Sequence, residues 1–252
     1  MSQEQEFTGQ NVWVTGAGQG IGAAVAKAFS CAGATVFGLD KTFAADDYPY
    51  RCITVDLAQS HEVTDCCHTL LENCSGLDVL VNCAGILRMG ATDELSHKDW
   101  QDTFAVNVGA AFHLFQQAIP VFKQQHSGAI VTIASNAAQT PRIGMSAYGA
   151  SKAALRSLTM TVGLELAEYG VRANLVSPGS TDTQMQRSLW NTADAEQQTI
   201  QGFPQQYKLG IPLRKIATPA EIAQSVLFLA SKRASHITMQ DLVIDGGATL
   251  GR

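Results

Sequence analysis

Short apolar runs rich in β-branched residues recur along the chain, at Val12-Trp13-Val14, Ala34-Thr35-Val36-Phe37, Cys52-Ile53-Thr54-Val55, Val79-Leu80-Val81, 129–133, Ala173-Asn174-Leu175-Val176 and Leu242-Val243-Ile244. Between them lie stretches with helical spacing of apolar positions, over 21–32, 61–74, 98–125, 146–169 and 219–231. Strands that are apolar throughout are covered on both faces, and strands that alternate with helices build a parallel sheet. Right-handed crossovers turn this order into a doubly wound α/β fold, a seven-stranded parallel sheet with helices on both faces. Gly170 is the expected stop of the fourth helix, and Thr218-Pro219-Ala220-Glu221 reads as a capped start with Pro at the first helical position. Pro120 predicts a kink in the long third helix. No Pro- or Ser-rich linker and no repeat divides the chain, so 1–252 is read as one domain. The least regular stretch is 181–213, where polar residues, Pro204 and Pro212 break any long period. A mobile lid over a substrate is expected there.

Composition changes this picture only at its edges. Of 252 residues, 46% are hydrophobic and 15% charged, which suits a buried core rather than a disordered chain. No apolar run approaches the roughly 20 residues that span a bilayer. The polar, acidic start Met1-Ser2-Gln3-Glu4-Gln5-Glu6 lacks the basic and apolar regions of a secretory signal, so a cytoplasmic protein is expected. The six cysteines, Cys31, Cys52, Cys66, Cys67, Cys74 and Cys83, show no C-x-x-C spacing and are read as reduced thiols, with no metal site expected. A net charge of −5 argues against nucleic acid as the main partner.

The chemistry is concentrated at two places. Thr15-Gly16-Ala17-Gly18-Gln19-Gly20-Ile21-Gly22 follows a strand and opens a helix, where glycines admit a pyrophosphate to the backbone and the helix N-terminus offers free N–H groups. Its spacing differs from G-x-G-x-x-G. Asp40, closing the second strand, can accept hydrogen bonds from the adenosine ribose and repel a 2'-phosphate, which favours NAD over NADP, although the adjacent Lys41 partly offsets the repulsion. Asp56-Leu57 is placed to meet the adenine edge, and Asn82-Cys83-Ala84-Gly85 supplies small residues where a cofactor lies close to the chain.

The second place is Tyr148-Gly149-Ala150-Ser151-Lys152, in which Tyr148 and Lys152 share a helix face. A nearby ammonium and an oxidised nicotinamide both favour a phenolate, which makes a tyrosine a usable base. Ser135, at the end of the fifth strand, can bond the substrate oxygen, and Asn107 can hold a water that links Lys152 to solvent. Arg142 and Arg88 are candidates to hold a substrate carboxylate through paired hydrogen bonds, and Met185 in the lid to pack on a flat ring.

With these residues in view, the chain resembles the short-chain dehydrogenase/reductase family over nearly its whole length. The matching pieces are 15–22, Asp40, Asp56, 82–85, Asn107, Ser135, Tyr148, Lys152, Pro178-Gly179 with Thr183, and Asp245-Gly246-Gly247. The resemblance implies a Rossmann-type sheet, a Ser-Tyr-Lys centre assisted by Asn, and usually a homotetramer. It also implies a cofactor site drawing on Gly16, Gly18, Gln19, Gly20, Ile21, Gly22, Asp40, Asp56, Leu57, Asn82, Ala84, Gly85, Tyr148, Lys152, Pro178, Gly179, Thr181 and Thr183. Cys83 stands where the family commonly has a second asparagine, and Thr181 where an aliphatic residue often meets the nicotinamide. The stretches 85–90, 140–148 and 178–183 are similar to members that oxidise a carboxylated cyclic dihydrodiol to a catechol with NAD in siderophore synthesis, which implies other enzymes of that synthesis as possible contacts. An NADPH-dependent ketone or 3-oxoacyl reductase, and a cofactor-sensing protein without catalysis, remain open at this point.

Overall fold

In a computed structural model, residues 5–44 and 47–251 are described. The first four residues of the acidic N-terminal stretch lie outside them. The expected strands form β1 (Asn11–Thr15), β2 (Thr35–Asp40), β3 (Arg51–Thr54), β4 (Val79–Asn82), β5 (Gly128–Ile133), β6 (Val171–Pro178) and β9 (Asp241–Ile244). All pair in parallel, in the order β3-β2-β1-β4-β5-β6-β9. The chain moves outward from β1 to β3 and then crosses back to β4, so the order reverses between β1 and β4. In open α/β sheets a crevice opens at such a point, beyond the carboxyl ends of the strands.

Alternate side chains of each strand enter two separate cores. Trp13, Leu39, Leu80 and Ile130 face one layer, where they meet Leu114, Phe115 and Phe122 of α4 (Ala110–Gln125) and Leu155 of α5 (Ser146–Leu166). Val12, Val14, Val81 and Val131 face the other, against Val25 and Phe29 of α1 (Gly20–Cys31) and Ile222 and Val226 of α8 (Pro219–Ala230). The central strands are buried on both faces, which is why they read as continuous apolar runs. The helix over 61–74 is α2 (Ser60–Glu72).

Two expected helix signals are present. Gly170 ends the turn after α5 in the left-handed region at φ +70°, and Thr218 and Glu221 form a reciprocal capping box at the start of α8. The long helix also changes at a place other than Pro120. Pro120 lies inside α4, whereas the helical path widens earlier, in a π-helical turn (Ala105–Gly109) between α3 (His97–Phe104) and α4. The stretch 181–213 is less irregular than its sequence indicates. It holds α6 (Gln184–Arg187), α7 (Ala195–Gln201) and a two-stranded antiparallel hairpin of β7 (Gly202–Phe203) and β8 (Lys208–Leu209). Among the described residues, no helix is long and apolar enough to cross a membrane.

Candidate active site

A cavity of about 850 Å³ opens over the carboxyl ends of β1, β4, β5 and β6 and runs beneath 181–213. Its floor is fixed by a tether between the two central strands. The Thr15 hydroxyl oxygen accepts the N–H groups of Cys83 and Ala84 at 2.9 and 3.1 Å. This closeness explains Gly16: at φ +66°, a Cβ there would lie 2.9 Å from the Ala84 Cα. Gly18 is equally constrained, since its N–H donates to the Asp40 carboxylate at 2.8 Å and a Cβ would collide with the Thr42 carbonyl.

The wall at this end comprises Gly16, Gln19, Gly20, Ile21, Gly22, Asp40, Asp56, Leu57, Ala84 and Gly85, all anticipated from sequence. Gly18 and Asn82 lie behind it. Gly18 orients Asp40, while buried Asn82 donates to the Thr132 hydroxyl at 3.3 Å and leaves its own Oδ1 without a partner among the described residues. Lys41 lines the same wall beyond Asp40 and is engaged by a second acid. It reaches Asp56 at 2.7 Å, and this pairing holds the Asp56 carboxyl below the usual range. A cradle that no Cβ could share, a helix N-terminus facing it and a carboxylate at the end of β2 fit the phosphates and ribose of a dinucleotide.

At the other end, β5 delivers Ser135 and α5 delivers Tyr148 and Lys152. Burial pushes the Tyr148 hydroxyl above its ordinary value, and a hydrogen bond with Ser135 opposes this. Ser135 also accepts the Ala137 N–H at 3.1 Å, which fixes its hydroxyl as the cap of a short turn. Lys152 is 3% exposed, donates to the Ile133 carbonyl at 2.8 Å and lies 5.9 Å from the Tyr148 ring centroid. Burial lowers its ammonium to about 8, opposed by nearby Cys83. The Cys83 thiol is itself pushed up to about 12 by burial. Gly85 permits this assembly, since a Cβ there would stand 3.3 Å from both Lys152 Nζ and Asn107 Oδ1.

Asn107 sits on the π-helical turn rather than within a continuous helix, and it is not on the cavity wall. Its Oδ1 accepts the Ile86 N–H at 2.7 Å, and its Nδ2 donates to the Ile86 carbonyl at 3.0 Å and to Ser151 Oγ at 2.9 Å. The amide therefore pins the loop after β4 to α5. Both Nδ2 hydrogens are engaged, while Oδ1 keeps a second lone pair that can accept from a water.

Pro178, Gly179, Thr181, Thr183, Arg142 and Met185 all reach the wall. Thr181 is buried and donates to the Gly179 carbonyl at 3.2 Å, while Thr183 caps α6. Arg88 does not reach the wall. Its side chain is exposed and lies 3.4 Å from Asp99, because the first turn of α3 presents that carboxylate beside it. The bonding of Asp245, which the sequence marked only as part of the family resemblance, and the placement of Lys208 are supplied by the structure. Asp245 accepts bonds from Asn136, Gly247 and Thr249, and these outweigh burial to hold its carboxyl below the usual range. Lys208, on the β7–β8 hairpin, lines the cavity and is lowered by burial and by the charge of Arg142. No local spacing marks Lys208, since Arg142 lies far away in the chain, whereas Asp245 meets Gly247 and Thr249 close by and Asn136 from across the fold.

The sheet order, the glycine cradle and the Ser135, Tyr148 and Lys152 cluster are those of a short-chain dehydrogenase/reductase, and the chain belongs to that family. The family model described as Enoyl-(Acyl carrier protein) reductase matches residues 16–249. Within the family, the chain is similar to the 2,3-dihydro-2,3-dihydroxybenzoate dehydrogenase of Escherichia coli (strain K12), at 64% identity over 98% of this chain and 99% of that protein. It is also similar to the enzyme of the same name from Bacillus subtilis (strain 168), at 42% identity over 96% of this chain and 97% of that one. Among solved structures, the ligand-free aldohexose dehydrogenase of Thermoplasma acidophilum superimposes with a TM-score of 0.89 at 30% identity, covering 96% of this chain and 95% of that one.

Proposed function

We propose that this protein is an NAD-dependent dehydrogenase that oxidises 2,3-dihydro-2,3-dihydroxybenzoate to 2,3-dihydroxybenzoate in catechol siderophore biosynthesis. The observation that carries the reading is the meeting of Ser135, Tyr148 and Lys152 in one cavity with Arg142, in a chain 64% identical to an enzyme of that name. When bound, the oxidised nicotinamide supplies the hydride acceptor. Gly16 to Gly22 hold the pyrophosphate, Asp40 the adenosine ribose, Asp56 and Leu57 the adenine side, and Asn82 to Gly85 with Pro178, Gly179, Thr181 and Thr183 the nicotinamide side.

Ser135 donates a hydrogen bond to the hydroxyl oxygen that is to be oxidised, and the Tyr148 phenolate accepts the hydroxyl proton as the carbinol carbon gives up its hydride. The Lys152 ammonium favours the phenolate. The product of this step is a ring ketone, which loses one ring C–H proton and gains an O–H proton to become the catechol. Aromatisation makes the sequence strongly downhill. Arg142 holds the carboxylate, Met185 packs on the ring, and Asn107 positions the Ile86 loop against α5.

Asp40 supports NAD over NADP, since its carboxylate faces the cavity and the neighbouring Lys41 is paired with Asp56. The same carboxylate weighs against the NADPH-dependent reductase. The enzyme works in the cytoplasm as a homotetramer, alone or beside other siderophore-synthesis enzymes. Exposed Trp100, Phe112 and Leu164, on α3, α4 and α5, supply apolar surface for subunit contact. The 181–213 stretch acts as a lid on this single domain.

The test is to supply the dihydrodiol with NAD and then with NADP, following reduced cofactor together with the fluorescence of the catechol. Matched appearance of both signals with NAD is expected. Reduction of a 3-oxoacyl substrate by NADPH, with none of the dihydrodiol oxidised, would replace this reading.

A further inference from the structure

Arg142 and Lys208 approach the same cavity from different parts of the chain, Arg142 from the segment before α5 and Lys208 from the β7–β8 hairpin. Both are half-buried, and neither side chain makes a hydrogen bond or ion pair with the described residues. This sets them apart from the other cations near the site: Lys41 is held by Asp56, Arg88 by Asp99 and Arg187 by Asp182. The acid that Arg142 feels is Asp245, whose oxygens are already occupied by Asn136, Gly247 and Thr249. The two cations also repel one another, as the lowering of Lys208 by Arg142 records. Lys208 Nζ rests 5.3 Å from the Phe203 ring centroid on the opposite strand, a weak contact that an anion can displace.

Two like charges taken partly out of water are costly unless an anion joins them. The cofactor phosphates belong at the Gly16 to Gly22 turn, at the other end of the cavity, so they do not meet this need. We propose that Arg142 and Lys208 form a two-cation clamp for the ring carboxylate of the substrate, with Lys208 a specificity residue carried in on the lid hairpin. Arg142 offers a planar fork to the carboxylate, and Lys208 a point charge from above. The clamp makes the enzyme select carboxylated rings over the same rings without a carboxylate, and it couples substrate capture to the position of 202–209.

This inference rests on the dihydrodiol reading, and its test separates the two. Dissociation constants of 2,3-dihydroxybenzoate and of catechol are measured on the enzyme–NADH complex for the natural protein, Lys208→Met, Lys208→Arg and Arg142→Met. The natural enzyme should prefer the carboxylated ring. Lys208→Met should weaken 2,3-dihydroxybenzoate about ten- to a hundredfold and leave catechol unchanged. Lys208→Arg should recover most of the loss. Unaltered NADH affinity in each variant reports an intact fold. Equal affinity of the natural enzyme for both rings, or no change in Lys208→Met, would overturn the clamp. Failure to oxidise the dihydrodiol while carboxylate preference persists would overturn the reaction and uphold the clamp.

Discussion

At the residue scale, the features that could be read from the chain are those whose partners lie close in sequence. Tyr148 and Lys152 are one helical turn apart, and the glycines of 16–22 surround one strand-to-helix turn, so spacing alone places them. Arg88 and Lys208 show the limit. Whether a cation faces a cavity or a neighbouring acid depends on tertiary placement, which put Asp99 beside Arg88 and left Lys208 without a paired acid among the described residues. Asp40 gives a direct test of cofactor choice. Its carboxylate repels a 2'-phosphate, so Asp40→Ser should lower the ratio of kcat/KM with NAD to that with NADP by at least about tenfold. An unchanged ratio would show that another group sets the preference.

Lys152 makes a prediction about pH. Its folded value is about 8 against an ordinary 10.5, lowered first by burial. Below pH 8 both folded and unfolded states carry the proton and stability does not change. Between pH 8 and 10.5 the unfolded chain holds more protons, so this group makes stability rise with pH. Urea unfolding from pH 7 to 10 should show the natural protein gaining on Lys152→Met by about 2 kcal/mol toward the alkaline end. A relative loss over that range would contradict the buried, depressed ammonium.

At the element scale, strands and helix starts were legible because they depend on local pattern. The Thr218 and Glu221 capping box is such a signal: Thr218 Oγ1 accepts the Glu221 N–H at 3.3 Å and the Glu221 carboxylate accepts the Thr218 N–H at 2.8 Å. Thr218→Ala should cost about 1 kcal/mol in chemical denaturation and leave cofactor affinity intact, since α8 packs on the sheet face of α1. The break in the long helix was not legible. Pro120 is the local signal for a kink, yet the helical path widens at Ala105–Gly109, where Asn107 bonds both backbone groups of Ile86. That bond crosses the fold, and only the assembled structure reveals it. The same holds for the other end of α8, where Arg172 donates to the carbonyls of Leu229, Ala230, Ser231 and Ala234.

At the scale of the whole molecule, continuous apolar strands and intervening helices foretold a parallel sheet with two covered faces. The strand order could be narrowed only by the handedness of crossovers and by family resemblance. The order found places β1 beside β4, and that neighbour relation brings Gly16 against Ala84 and opens the crevice. Asn136 and Asp245, 109 residues apart, meet beyond the carboxyl ends of β5 and β9, the strands that flank β6. The small hairpin in 202–209 escaped notice because two-residue strands carry too little pattern to register.

The central claim is that this assembly moves a proton through Tyr148 as hydride leaves the dihydrodiol. Single-turnover formation of NADH from the dihydrodiol should be compared in the natural protein and in Tyr148→Phe, with NAD affinity measured in both. The account predicts a loss of at least about a thousandfold in the variant, with NAD binding essentially unchanged. Comparable rates in the two proteins would contradict it.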